Sequence, residues 1–361
     1  MNRRFLNLLV NKLRTRRPAF KLCQIDLASL FYPDEGSSAQ AMGRESAPTL
    51  AGRLPPAAIS FAWPCKRHLT GWLDFMAFKD DNIVAVDHEG RTVLYDSAAR
   101  AIRAMPETTK PSSKTISFTV GDGLYVIALE SRIGAPLQTH YFQALIYGRP
   151  PGGFEDDWYW RLLQQPCFDF PDNMQDPSNY RPEEAVNPYA ISSYALVGDS
   201  QVWVSTMAGG TYSYDTARNM WSKASDVSML PFRGRAEYVP EHRLCFGFSP
   251  EDDEQLCAAD LSLVRPVGHK VWEDPPLPES SCSLTASLLL PMGSGKLCVA
   301  RVFEKTDDRG ELLLSGYTKA NQRFLVLSGL QVLSAHSVDS LQIINHKSKC
   351  YDLGNDEVKL L

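Results

Sequence analysis

The chain has 361 residues, 44% hydrophobic and 22% charged, with a formal net charge of −5. These proportions are ordinary for a soluble globular protein, and the acidic balance argues against a general binder of nucleic acid. With 24 Pro and 23 Gly, long helices are not expected, and no apolar run reaches the ~18 residues that cross a bilayer.

The N-terminus is basic: Arg3, Arg4, Lys12, Arg14, Arg16, Arg17 and Lys21 all precede the first acid, Asp26. Two readings stand for it. One is an organelle-targeting helix with Phe5, Leu8, Leu9 and Leu13 on one face. The other, which we prefer, is a hairpin of strands Phe5 to Val10 and Phe20 to Leu27 around a basic turn at Arg14 to Pro18. Residues 33–57, rich in Ser, Ala, Gly and Pro, then read as a flexible insertion.

Short strand candidates follow: Asp74 to Phe78, Asn82 to Val86, Thr92 to Tyr95 and Ala101 to Met105, separated by turn residues. Ile116 to Val120, Leu124 to Leu129, Tyr141 to Ile146 and Trp158 to Leu163 make a second such unit. A second polar insertion spans residues 169–188. A third unit runs from Ala190 to Trp221, a fourth from Ala236 to about Trp272, a fifth from Leu284 to about Leu327 and a last from Gln331 to Leu361.

A motif recurs across these units. Tyr95-Asp96, Tyr214-Asp215 and Tyr351-Asp352 are each followed, six residues after the Asp, by Ile102, Trp221 and Val358. Ile25-Asp26 with Tyr32, and Tyr317-Thr318 with Phe324, are looser copies. Tyr-Asp, a turn and an apolar anchor suit the passage from the third to the fourth strand of a kelch-like β-propeller blade, and Gly209-Gly210 before Tyr212 strengthens the match. Residues 1–361 are therefore expected to form one all-β domain, a closed propeller of seven blades or, alternatively, six.

Signals for chemistry are weak. Gly293-Ser-Gly-Lys296 lacks the first Gly and the Ser/Thr of a phosphate loop and reads as a hairpin turn. Asp87-His-Glu-Gly90, Asp307-Asp-Arg-Gly310 and Glu251 to Glu254 also read as turns, the last lacking the oxygen spacing of a calcium loop. Histidines 68, 88, 140, 242, 269, 336 and 346 form no HxH or HxxxH pair, and the eight cysteines form no CxxC. Arg233 and Arg235 could receive an acidic group, but an internal ion pair with Glu237 or Glu241 is the preferred reading. No catalytic, cofactor or metal residue is therefore assigned.

Several stretches carry a family resemblance: MNRRFLNLLV at the start, Leu50 to Phe61, Tyr147-Gly-Arg-Pro-Pro-Gly, Pro231 to Glu241, Cys257-Ala-Ala-Asp-Leu, Val271-Trp-Glu-Asp and Gly293 to Ala300. Across nearly its whole length the chain resembles a plant family, expanded in grasses, known as a domain of unknown function, number 1668. The resemblance implies a kelch-like fold and brings no activity or site residue with it. The expected function is a non-enzymatic interaction scaffold binding an unknown protein, with neither nucleic acid nor membrane as partner, monomeric, and intracellular in the cytoplasm or nucleus. The alternative is an enzyme with a small-molecule or sugar site at the channel mouth.

Overall fold

A computed structural model describes residues 4–11, 19–32, 48–62, 71–79, 81–113, 115–130, 139–166, 168, 190–198, 200–207, 210–224, 229–251, 254–263, 265–275, 282–305, 322–333 and 341–361. Most of the two expected insertions, the basic turn and the Tyr317-Thr318 copy lie outside these residues. The chain divides into two compact units, Met1–Trp63 with Lys270–Leu361, and Pro64–His269.

The N-terminal hairpin is present. β1 (Phe5–Asn11) and β2 (Ala19–Asp26) pair antiparallel from Phe5↔Asp26 to Asn11↔Phe20. A short 3-10 turn, Leu27–Leu30, is capped by Asp26, whose carboxylate accepts the Ala28 N–H at 3.0 Å. β3 (Thr49–Gly52) and β4 (Ile59–Ala62) follow.

The second unit contains successive antiparallel meanders. The first is β5 (Leu73–Ala77), β6 (Ile83–Asp87), β7 (Thr92–Asp96) and β8 (Ala101–Met105). The second is β9 (Thr115–Val120), β10 (Gly123–Glu130), β11 (Thr139–Gly148) and β12 (Asp157–Leu162). Then come β13 (Ile191–Val197), β14 (Gln201–Thr206), β15 (Thr211–Asp215) and β16 (Met220–Ala224). A short parallel pairing, Ser193↔Gly234 to Ala195↔Ala236, joins β13 to β17 (Arg233–Val239), which β18 (Leu244–Phe248) and β19 (Leu256–Ala259) extend. The order of this eight-stranded sheet ends in β20 (His269–Trp272), where the chain passes between units.

In the C-terminal part, β21 (Cys282–Gly293), β22 (Lys296–Lys305), β23 (Arg323–Val332) and β24 (Ile343–Gly354) form one sheet, with β3 parallel to β24. β25 (Glu357–Leu360) pairs with β1, giving the order β25-β1-β2-β4. The strands thus divide differently from the sequence units. β23 runs straight through the expected boundary between Leu327 and Gln331, and the N-terminal hairpin shares its sheet with the last strand. Continuous apolar runs hid this, because a run buried on both faces has no alternation to mark its ends. The described strands make five sheets, and the eight-stranded one is two meanders of four.

The sheets bury both faces. Phe142 and Ala144 on β11, with Ile127 on β10, pack against Val202, Val204, Tyr212 and Tyr214 of the next meander. Their chain neighbours Val126 and Leu145 point the other way, to Met76, Val84, Val86 and Leu94. That is the two-residue alternation of a strand expressed as two separate cores. In the other unit Leu6, Leu8, Val10 and Ile25 pack on Leu290, Ala300, Leu325 and Leu327. Outer strands are the exception: β8 has four exposed residues and only Met105 buried.

Candidate functional site

Most residues singled out by sequence are structural. Tyr95 pairs across the strands with Ile102, and Tyr214 with Trp221, as the motif predicts. Each Asp caps its turn: Asp96 accepts from Ala99 N at 2.8 Å, and Asp215 from Ala217 N at 2.9 Å and Arg218 N at 3.0 Å. The third copy behaves differently. Tyr351 and Asp352 lie inside β24, while Val358 belongs to β25 in another sheet.

The turn readings hold where residues are described. Asp87 Oδ1 accepts the N–H groups of Glu89 and Arg91, both at 3.0 Å, around Gly90 at φ 92°. A Cβ on Gly90 would stand 2.2 Å from the Thr108 carbonyl oxygen, so only glycine fits. Gly293, Ser294 and Gly295 form the tight turn from β21 to β22, with a strand and not a helix after it. Glu254 N–H donates to the Glu251 carbonyl at 3.0 Å, again a turn. Arg235 pairs with Glu237 at 2.6 Å and Arg233 with Glu254 at 3.0 Å. Burial works most strongly against the Arg235 charge, but the Glu237 carboxylate and Tyr194 together leave its pKa raised.

One surface stands apart. The hairpin from β11 to β12 turns through Pro150-Pro151-Gly152-Gly153, with Gly152 at φ 77° and Gly153 N–H donating to the Pro150 carbonyl at 2.9 Å. This is a type II turn, with Pro presetting the second position and Gly supplying the positive φ of the third. Phe154 follows it and is 95% exposed. At the base, Tyr147 pairs with Trp158 and their rings meet edge-on at 5.7 Å. Trp158 in turn touches the edge of Phe78 at 5.9 Å, anchoring the hairpin in the core. Arg149–Asp156 at 3.8 Å and Arg103–Asp157 at 3.5 Å brace its sides. Glu155 makes no ion pair with a described residue. The result is an exposed aromatic on a braced turn, flanked by three acids.

Comparison with known families gives a match over nearly the whole chain. The model of the family described as "Protein of unknown function (DUF1668)" covers residues 3–351. The chain belongs to this family. No curated protein matches significantly. Among solved structures, a protein from Lactobacillus plantarum is similar at 12% identity and a TM-score of 0.43, over 99% of both chains. The extracellular domain of a protein described as a hybrid two-component system from B. thetaiotaomicron is similar at 13% identity and a TM-score of 0.34. This second likeness covers 76% of the present chain and 33% of that one. At such scores neither likeness defines the fold.

In this DUF1668 chain no group of three His, Cys, Asp or Glu among the described residues is arranged to hold a metal. Of the seven histidines, His68 and His336 and the side chain of His140 lie outside the description. Of the six described cysteines, five are buried. Burial pushes the Cys245 thiol up to about 12 and the Cys298 thiol further still. Neither is a nucleophile at neutral pH; both act as small buried core residues. Sequence reasoning passed over Phe154, although the Pro-Pro-Gly-Gly before it was a usable turn signal. It also cast Tyr32 as a strand anchor, whereas Tyr32 follows Phe31, the C-cap of the 3-10 turn, and its N–H donates to His346.

Proposed function

We propose that this DUF1668 protein is a non-enzymatic interaction scaffold that presents the Tyr147–Trp158 hairpin to another protein. The observation that carries the reading is Phe154, 95% exposed at the tip of a turn whose geometry is set by Pro151, Gly152 and Gly153. A large apolar side chain exposed to water is unfavourable, and a turn whose backbone is already set leaves less to order on binding, which is the character of an interface anchor. The Glu155 carboxylate beside Phe154 suits a partner with an apolar pocket flanked by a basic group.

The architecture we infer is a single closed, kelch-like propeller of six blades, each meander of four being one blade. The pairing of β1 with β25 supports closure, since it joins the two ends of the chain in one sheet. The buried thiols Cys245 and Cys298 support a reducing intracellular location in the plant lineage that the sequence resemblance implies. We take the protein as a monomer, and its acidic charge speaks against nucleic acid as partner.

Photo-crosslinking tests the interface. A benzoylphenylalanine replacing Phe154 should trap a discrete partner in extract of the source organism, and the same group at Lys21 should not. Equal labelling from both positions would remove the hairpin from the account.

A further inference from the structure

A second site is built in the unit formed by residues 1–63 and 270–361, at the end of the sheet where β21 turns into β22. In β24 the register jumps: Ser348 faces Ser328 but Asn345 faces Leu330, so His346 and Lys347 together oppose Gly329. This is a β-bulge, and it turns two adjacent side chains to one side of the sheet. The His346 ring lies 5.8 Å from the Tyr32 ring, and Lys347 Nζ lies 4.9 Å from the same ring. Gly329 admits the 27–32 segment, because a Cβ there would sit 3.1 Å from the Leu30 Cβ and carbonyl oxygen.

Hydrogen bonding fixes the polar groups. The Tyr32 N–H donates to His346 Nδ1 at 3.3 Å, so the neutral ring carries its proton on Nε2. Nε2–H therefore donates to Gln331 Oε1 at 3.1 Å, which orients the amide and leaves its N–H donors for another acceptor. No described residue accepts them. Lys296 pairs in register with Gln331, and its Nζ lies 5.4 Å from the Phe31 ring. Lys349 Nζ is held by Ser29 Oγ at 2.8 Å.

Among the described residues neither Lys296 nor Lys347 has a carboxylate partner, in a chain whose net charge is −5. Both lysines are residues of intermediate exposure, and the charges of both reach His346: burial first, then these charges, hold its pKa below the ordinary value. Ring faces offset part of this cost, but the charge itself stays uncompensated.

We propose that Lys296, Lys347 and the Gln331 amide bind an oxyanion of phosphate type, with His346 as the residue that positions Gln331. Two compact ammonium groups and an amide donor approaching from separate strands suit the several acceptor oxygens of a tetrahedral anion. This site is independent of the Phe154 hairpin.

Isothermal titration of the full chain provides the test, with inorganic phosphate in one arm and O-phosphoserine in the other. We expect saturable one-site binding, weakened ~10-fold or more in Lys347→Gln and lost in Gln331→Glu, which gives the lysines a built-in carboxylate. Tighter binding of the ester assigns the phosphoryl group of a larger ligand, and tighter binding of phosphate assigns the free ion. Should Lys347→Gln fail to fold, the NMR titration of His346 carries the same question. Phosphate should raise its midpoint in the wild type and not in Lys296→Gln. Absence of saturable binding in both arms, affinity unchanged in Gln331→Glu, or an unmoved His346 midpoint each overturns the proposal.

Discussion

Tyr95 and Tyr214 occupy the same place in the repeat and are both buried, yet their hydroxyls differ. The Tyr214 phenol, pushed up to about 12 chiefly by burial, donates to Asn219 Oδ1 at 3.0 Å. At the equivalent position the first copy has Arg100, and the Tyr95 hydroxyl has no hydrogen-bond partner among the described residues. Tyr214→Phe should therefore cost about 1 kcal/mol, while Tyr95→Phe should be neutral or stabilising, as read from urea denaturation midpoints. The motif was legible as letters, but the letters do not show which phenol is satisfied, because that depends on a side chain five residues further on.

His346 gives a residue-scale pH dependence. Its folded pKa is depressed below 6.5, by burial first and then by the charges of Lys296 and Lys347. Between the folded value and 6.5 the unfolded chain binds more protons than the folded one, so stability rises with pH there. The stabilising contribution is complete above 6.5 and is lost as pH falls through the folded value. The melting temperature should drop from about pH 7 to about pH 5, and the drop should be smaller in His346→Gln.

Between elements, aromatic residues hold neighbouring sheets together. Phe142 meets Tyr214 edge-on at 4.6 Å and Trp221 at 5.4 Å, at the heart of the core between β11 and β15. Trp221 adds a hydrogen bond from its indole N–H to the Gln164 carbonyl at 3.0 Å, and Trp160 makes the same kind of bond to Pro106 at 3.0 Å. These outer-strand tryptophans each tie down the chain just after the preceding meander. Phe142→Ala should cost about 3–5 kcal/mol, and Trp221→Phe, which keeps an aromatic ring but loses the indole N–H and part of the packing, about 1 kcal/mol or more, both measured by denaturant unfolding. Strands β5 to β12 could be read from the sequence because turn residues such as Gly and Asp separate them. The pairings of β24 with β3 and of β25 with β1 could not, since pairing across long separation leaves no local signal.

At the scale of the whole molecule, the two chain ends meet in one sheet, with Leu361 N–H donating to the Asn7 carbonyl at 3.0 Å. Val358 and Leu360 pack against the core that holds Leu6 and Leu8. Deleting residues 357–361 should cost on the order of 5 kcal/mol from lost apolar burial and leave β1 as an open edge prone to association, visible in a melting curve and by light scattering. The repeat residues are absorbed in such packing, which leaves recognition to side chains that the fold does not use. The most direct measurement of that claim compares wild type with Phe154→Ser in quantitative capture of partner from the source organism, alongside their melting temperatures. The account predicts an unchanged melting temperature and loss of the captured partner; equal capture by both proteins would contradict it.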